Sequence, residues 1–174
     1  TEMTLLTDKY DFKIEEVDAM TGSLIGRPNT ATFRLQDLVG LDTGDNVTRF
    51  VSANVQGDDY IDQLKNRPEP KFVKFLLDNK FLGNKTGKGF YEKTSEKDEK
   101  GKTIINALNL KTLTYEAAIR PKMELIKTAK GMELMDKRLQ YLVEGDTKGQ
   151  QFFAEYFGQL FGYSAARVPE KSDQ

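Results

Sequence analysis

The chain has 174 residues, of which 38% are apolar and 30% are charged, and its formal net charge is −1. This composition is typical of a globular domain, and the absence of a basic excess argues against nucleic-acid binding. The chain has no histidine and no cysteine, which excludes Ser-His-Asp and Cys-His catalysis, disulfides and histidine- or thiolate-bound zinc. No apolar run reaches membrane-spanning length, and we expect no membrane span and a cytoplasmic location.

The first forty residues are predicted to be helical. Residues 3–10 resemble the end of a helix, and residues 14–20 form a second helix with acidic residues in its first turn. Pro28, with Asn29 or Thr30, is predicted to begin a third helix and Gly40 to end it. The side chains expected to face inward from this third helix are Phe33, Leu35, Leu38 and Val39.

Two further helices and a hairpin follow. Asp45 or Asn46 is a candidate cap for one helix, and Pro70 leads a short apolar helix that ends near Leu77. Phe90 and Tyr91 then begin a predicted strand, and Thr103–Ile105 is its return strand. The residues between them, 92–102, are almost all charged or polar, which favours a long solvated loop.

The remaining residues are divided into a linker and a helical tail. Residues 107–122 are predicted to be an extended linker between two lobes. Beyond them, Gly145–Thr147 gives a helix end followed by a new cap. The fold class is therefore mainly α, with one small β-hairpin and a second helical lobe. The two apolar stripes of the tail are Met132, Met135, Leu139, Leu142 and Val143, and then Phe153, Tyr156, Phe157, Leu160 and Phe161.

The segment from Gly83 to Gly89 has some features of a phosphate-binding loop, but its spacing argues against one. Such a loop has four residues between its glycines and a Ser or Thr after its lysine. Here three residues separate Gly83 from Gly87, and Gly89 follows Lys88. A tight turn is the preferred interpretation, because glycine tolerates positive φ.

Charged residues at two other places are candidates for a site. The acidic clusters at 15–18 and 58–59 are interpreted as solvated helix starts and turns, with no tuned pKa expected. Arg27 directly precedes a predicted helix start, where an anion is favoured. Its guanidinium either meets a phosphate or carboxylate there or has a structural role, and the structural role is favoured.

Two segments together resemble the C-terminal domain of 3-hydroxyacyl-CoA dehydrogenases. We name residues 26–42 the proline segment and residues 82–91 the glycine segment. The glycine segment is similar to the family pattern Leu-Gly-x-Lys-Thr-Gly-x-Gly-Phe-Tyr. The elements shared in and before the proline segment are Glu16-Val17-Asp18, Gly26-Arg27-Pro28, Phe33 and Val39-Gly40-Leu41-Asp42.

The end of the chain extends this resemblance to long bacterial members, in which the helical domain is duplicated. The run 167–170 is similar to a family run in which asparagine precedes Arg-Ile-Pro-Glu. Ala166 stands in place of that asparagine and Val168 in place of the isoleucine, so no asparagine role is transferred. The resemblance implies a first helical domain at 1–106, a linker at 107–122 and the start of a truncated second copy at 123–174.

The resemblance also implies a division of labour within a longer enzyme. In the family, an N-terminal Rossmann domain binds NAD, and its histidine–glutamate pair takes the hydroxyl proton as hydride passes to NAD. The helical domain closes over 3-hydroxyacyl-CoA and forms the dimer interface. The expected partners are thus the chain's own Rossmann domain, the acyl-CoA substrate and a second subunit. We expect no catalytic, cofactor-binding or metal-binding residue on this chain, and no activity from it alone.

The substrate-cleft candidates implied by the resemblance are Arg27, Pro28, Thr32 and Phe33. An alternative function is a free-standing helical module that binds acyl groups or another protein without catalysis. A relative acting on 3-hydroxybutyryl-CoA is a third possibility that these residues do not separate from long-chain enzymes.

Overall fold

The computed structural model describes residues 2–168, apart from the side chain of Leu64; Pro169 and Glu170 of the predicted motif lie outside the described residues. Within that range no helix is long and apolar enough to cross a membrane. The expected mainly α fold with a small sheet is confirmed. The helices are α1 (Glu2–Lys9), α2 (Ile14–Met20), α3 (Phe33–Val39), α4 (Leu41–Asn54), α5 (Asp59–Lys65), α6 (Lys71–Asp78), α7 (Glu124–Lys130), α8 (Met135–Val143) and α9 (Lys148–Ala166).

The sheet has three antiparallel strands in the order β1 (Tyr91–Lys97), β2 (Thr103–Leu108) and β3 (Tyr115–Ala117). The predicted hairpin is confirmed, and Tyr91 pairs with Ala107 across it. The loop predicted at 92–102 is shorter in the structure. Strand β1 continues to Lys97, so that only residues 98–102 connect the two strands. Backbone pairing holds the charged residues of β1 in a strand, although their side chains face solvent.

The predicted linker at 107–122 contains the end of β2 and the whole of β3. A turn between them is closed by Asn109, whose side-chain oxygen accepts hydrogen bonds from the Lys111 and Thr112 N–H groups at 3.0 and 3.2 Å. Three residues are too few to give an alternating pattern, so β3 could not be recognised from the sequence.

Helix α3 begins at Phe33, three to five residues later than predicted. Residues 29–32 form turns instead, and Ala31 has a positive φ of 53°. Phe33 is buried as expected, but Leu38 and Val39 were wrongly predicted to face inward, since they are 59% and 53% exposed. The buried face of α3 follows Phe33 and Asp37, one turn apart, and the other two side chains lie off that face.

The core joins the start of the chain to its tail. The Phe152 ring of α9 packs edge-on against Phe12, with centroids 5.7 Å apart, and against Phe153 at 5.6 Å. The core therefore includes side chains from both sides of residues 107–122. The second aromatic stripe is buried only in its first half, because Phe157 is half-buried and Phe161 is 61% exposed.

Candidate functional site

The proline and glycine segments lie against each other, although they are about forty residues apart in sequence. The Leu41 N–H donates to the Leu82 carbonyl at 3.2 Å. The Lys85 ammonium pairs with the Asp42 carboxylate, with Nζ 2.6 Å from Oδ2. The two segments thus build one structural unit, which we call the joint.

Asp18 of α2 caps the helix of the proline segment. Its carboxylate accepts hydrogen bonds from the N–H groups of Thr32, Phe33 and Arg34 at 2.9, 2.6 and 3.2 Å. It also accepts one from the Tyr91 hydroxyl at 2.8 Å. These donors are the ones that a helix start offers to an anion. The Asp18 carboxylate therefore occupies the helix start at which a bound phosphate or carboxylate was considered.

Asp37 ties α3 to the first strand. Its carboxylate accepts hydrogen bonds from the Phe90 and Tyr91 N–H groups, both at 2.8 Å. Two glycines make this approach possible. A Cβ at Gly83 would overlap the Asp37 backbone, and a Cβ at Gly89 would overlap its carboxylate. Gly83 and Gly89 of the family pattern are thus required by the space around one aspartate, whereas a Cβ at Gly87 would meet no atom within 4 Å.

The charge state of the joint is set by burial. Burial raises the pKa of Asp37 to about 6, and the nearby Asp18 charge adds to the rise. The hydrogen bonds from the two backbone N–H groups favour the ionised form and oppose this rise. Burial also raises the pKa of Asp18, although its four hydrogen bonds oppose that. Burial and the Asp18 charge raise the pKa of the Tyr91 hydroxyl, which stays a hydrogen-bond donor.

The four substrate-cleft candidates divide into two surface residues and two interior ones. Arg27 is partly exposed, and its guanidinium donates to the Ala31 carbonyl at 3.3 Å; Pro28 is exposed. The buried Thr32 hydroxyl lies 2.7 Å from that of Thr21. Phe33 is fully buried, with its ring edge-on to another aromatic ring of the core. Arg27 and Pro28 are the members of this set that can touch a ligand directly.

The turn in the glycine segment is held by its own atoms. Asn84–Thr86 forms one 3-10 turn, and Gly87 follows in the left-handed conformation with φ 74°. The Thr86 hydroxyl lies 2.9 Å from the Lys88 carbonyl and accepts from the Leu82 N–H at 2.9 Å. The predicted tight turn is confirmed, and its hydroxyl is already engaged within the turn.

The two residues that organise the joint, Asp18 and Asp37, were not predicted from the sequence. The cluster that contains Asp18 was interpreted as solvated, and Asp37 was not singled out. Glu15 of the same cluster is buried too, and its carboxylate accepts from the Ile119 N–H at 3.0 Å. The available signal for Asp18 was its place in the family pattern before a predicted helix start, since a carboxylate can accept hydrogen bonds from the free N–H groups of that start.

The residues of this chain do not fit NAD. A dinucleotide site of the Rossmann type needs a parallel βαβ unit with a Gly-x-Gly-x-x-Gly turn. The only sheet within residues 2–168 is antiparallel, and the fingerprint does not occur in the sequence. No step that involves NAD is therefore assigned to these residues.

Comparison with known proteins identifies the family. The family described as "3-hydroxyacyl-CoA dehydrogenase, C-terminal domain" matches residues 1–93, which are more than half of the chain. A "Probable 3-hydroxyacyl-CoA dehydrogenase" of Bacillus subtilis (strain 168) is 34% identical over 165 residues, covering 95% of this chain and 20% of that protein. The chain thus spans about a fifth of the length of this relative.

Two further relatives have similar names. A "Probable 3-hydroxyacyl-CoA dehydrogenase" of Deinococcus radiodurans is 35% identical over 60% of this chain and 29% of its own length. A candidate fatty acid oxidation complex trifunctional enzyme of Rickettsia prowazekii is 24% identical over 88% of this chain and 19% of its own length. No solved structure gives a significant match. The chain belongs to the family of 3-hydroxyacyl-CoA dehydrogenase C-terminal domains, and its parent family is an oxidoreductase family.

Proposed function

We propose that this chain is the substrate-closing and dimerisation domain of an NAD-dependent 3-hydroxyacyl-CoA dehydrogenase of fatty-acid β-oxidation. The observation that carries the proposal is the family match over residues 1–93. The names of the Bacillus and Rickettsia relatives support the dehydrogenase activity and the link to fatty acid oxidation. In the parent protein, an N-terminal Rossmann domain would hold NAD, and that cofactor would supply the hydride-transfer chemistry.

In this proposal the chain binds and positions substrate, and it supplies no catalytic group. Arg27 directly precedes Pro28 and is partly exposed, and among residues 2–168 it forms no ion pair with a carboxylate. Its guanidinium is therefore available to a phosphate of acyl-CoA. Pro28 shapes the rim beside Arg27, while Thr32 and Phe33 support the corner from the interior.

The proposed dimer interface is formed by apolar side chains that are exposed on the surface of residues 2–168. Val47 and Phe50 of α4 are 57% and 68% exposed, and Phe161 of α9 is 61% exposed. Large exposed aromatic and aliphatic side chains on helices are typical of subunit interfaces.

The proposed arrangement along the chain is a first helical domain at 1–106, a linker at 107–122 and the beginning of a second copy at 123–174. The similarity of the chain end to the duplicated bacterial members supports it. The cytoplasmic location stays a prediction, supported by the absence of cysteine.

The proposal is tested by an activity assay on the chain and on its parent enzyme. The chain alone, supplied with NAD and 3-hydroxyacyl-CoA, is expected to form no NADH. Addition of the N-terminal Rossmann domain of the parent is expected to restore turnover. Robust turnover by the chain alone would overturn the proposal. Acyl-CoA binding by the chain in calorimetry, with no turnover after the domain is added, would instead support the free-standing module.

A substitution at Arg27 tests the binding role in the parent enzyme. We expect Arg27→Gln to raise KM for acyl-CoA about tenfold with little change in kcat, because one charge-assisted contact is removed from the bound state and the transition state alike. Arg49→Gln is the matched control, since Arg49 is an exposed arginine that pairs with Asp45 on α4. Equal KM values for the two variants would remove Arg27 from the substrate cleft.

A further inference from the structure

The second half of α9 has little packing to hold it in place. Its residues from Gly158 to Ala166 are exposed apart from Tyr163, which is half-buried. A Cβ at Gly158 or Gly162 would meet no atom within 4 Å. Each helical glycine also costs about 1 kcal/mol relative to alanine. The position of this half-helix must therefore depend on a few specific contacts.

Those contacts converge on Asp58, which directly precedes α5 and is only 1% exposed. Its carboxylate accepts a hydrogen bond from the Tyr163 hydroxyl at 2.9 Å. The Arg167 guanidinium lies 3.0 Å from the other carboxylate oxygen. Asp58 also caps α5, because it accepts from the Tyr60 and Ile61 N–H groups at 3.1 and 3.2 Å. One carboxylate thus binds both the start of α5 and the end of α9.

Helix α5 holds the start of the described chain at the same place. The Tyr60 hydroxyl donates to the Glu2 carboxylate at 2.7 Å, and Arg67 pairs with that carboxylate at 2.9 Å. The Tyr60 and Tyr163 rings are in contact, with centroids 5.1 Å apart. A continuous polar and aromatic network therefore runs from Glu2 through α5 to Arg167.

We propose that α5 is a clasp that fixes the start of α1 and the end of α9 relative to each other, with the Asp58–Arg167 pair as its release point. Breaking that pair frees the second half of α9 while the first half stays anchored in the core through Phe152 and Phe153. On the proposed function, α9 lies within the beginning of the second helical copy. The clasp then sets the direction in which that copy continues from the first domain, and its release changes the angle between them.

The test measures the position of α9 directly. Because the chain has no cysteine, two exposed positions, Gln63→Cys on α5 and Ala165→Cys on α9, can be spin-labelled cleanly. The otherwise unchanged chain is expected to give one narrow distribution of the distance between the labels. Arg167→Gln combined with Tyr163→Phe is expected to broaden it, and to speed amide hydrogen exchange in residues 159–166 about tenfold or more. Asp58 is retained, so the cap of α5 stays in place.

Glu155→Gln is the matched control. Glu155 lies in the first half of α9 and pairs with Lys9 at 2.6 Å, away from the clasp. Loss of this exposed pair is expected to leave the distance distribution narrow and the exchange in residues 159–166 unchanged. A narrow distribution and unchanged exchange in the Arg167 and Tyr163 variant would overturn the clasp. These measurements use neither substrate nor NAD, so they fail or succeed independently of the dehydrogenase assay.

Discussion

Asp37 in the joint and Asp58 in the clasp perform the same structural task in opposite surroundings. Both are almost completely buried, at 3% and 1% exposure. Each accepts hydrogen bonds from two backbone N–H groups, Asp37 across the fold from β1 and Asp58 from the helix that it precedes. Each carboxylate therefore takes the place of a backbone carbonyl as hydrogen-bond acceptor, at a point where two secondary-structure elements meet.

The two carboxylates differ in the charge beside them. Asp37 lies near the partly buried Asp18, and burial together with that charge raises the pKa of Asp37 to about 6. Burial works against ionisation of Asp58 too, but the Ile61 and Tyr163 hydrogen bonds oppose it. The charge of Arg167 adds to their effect, so the pKa of Asp58 lies below its ordinary value of 3.8. The two pKa values therefore shift in opposite directions: desolvation outweighs the hydrogen bonds at Asp37, whereas the hydrogen bonds together with the Arg167 charge outweigh desolvation at Asp58.

The largest expected effect comes from closing the space around Asp37. Gly89→Ala is expected to lower the free energy of unfolding by about 3 kcal/mol, because the added methyl group overlaps the Asp37 carboxylate. Urea unfolding of the purified chain measures this. Gly44→Ala is the control, since its Cβ would meet no atom within 4 Å inside α4. We expect that control to gain about 0.5–1 kcal/mol through helix propensity, and equal effects of the two substitutions would contradict a crowded joint.

The pH dependence of stability sharpens the comparison of the two acids. A raised folded pKa means that the contribution of Asp37 is fully present below 3.8 and is lost as pH rises through about 6. The loss is expected to be ~3 kcal/mol, at about 1.4 kcal/mol for each pKa unit. Asp58 has a depressed folded pKa, so its contribution is present above 3.8 and is lost as pH falls below that value.

The matched variant for this pH dependence is Asp37→Asn, which keeps the shape of the side chain and removes its titratable carboxyl group. Urea unfolding at about pH 4.5 and about pH 7.5 should give a smaller difference in the variant than in the unchanged chain. Asp18, whose pKa is also raised by burial, contributes to the remaining slope. Identical slopes for the two proteins would show that Asp37 does not titrate in this range.

The smallest expected effect is at the edge of the joint. Lys85 and Asp42 form an ion pair whose side chains are 46% and 40% exposed. Solvent and salt screen such a pair. Lys85→Met is therefore expected to leave the urea midpoint unchanged within error, although Lys85 belongs to the family pattern. A loss comparable to that of Gly89→Ala would mean that the joint depends on its rim more than on its buried carboxylate.

Local patterns in the sequence predicted the features whose causes are local. The glycine turn and the helix of residues 14–20 follow from conformational freedom and apolar spacing within a few residues. The caps of α3 could not be predicted in this way, because the acceptor Asp18 lies outside the helix and contacts it only after folding. The prediction that the Leu38 side chain faces inward was wrong because it, too, considered only local spacing. Asp37 binds β1 about fifty residues away, and this contact selects the buried face of α3.

The functional site was predictable to a smaller extent. The paired segments pointed to the family, and the comparisons confirmed it. The burial of Thr32 and Phe33 could not be deduced, because a family motif does not distinguish a residue that touches substrate from one that supports the motif. Only the three-dimensional arrangement separates Arg27 and Pro28 from these two.

The most direct test of this account is an NMR titration of the side-chain carboxyl carbons of Asp37 and Asp58 in the intact chain. Both resonances can be assigned by comparison with the Asp37→Asn and Asp58→Asn variants. The account predicts that Asp37 titrates near pH 6 and that Asp58 titrates below 3.8. Two carboxyls that titrate together near 3.8 would contradict the claim that the surroundings of these two buried acids shift their pKa values in opposite directions.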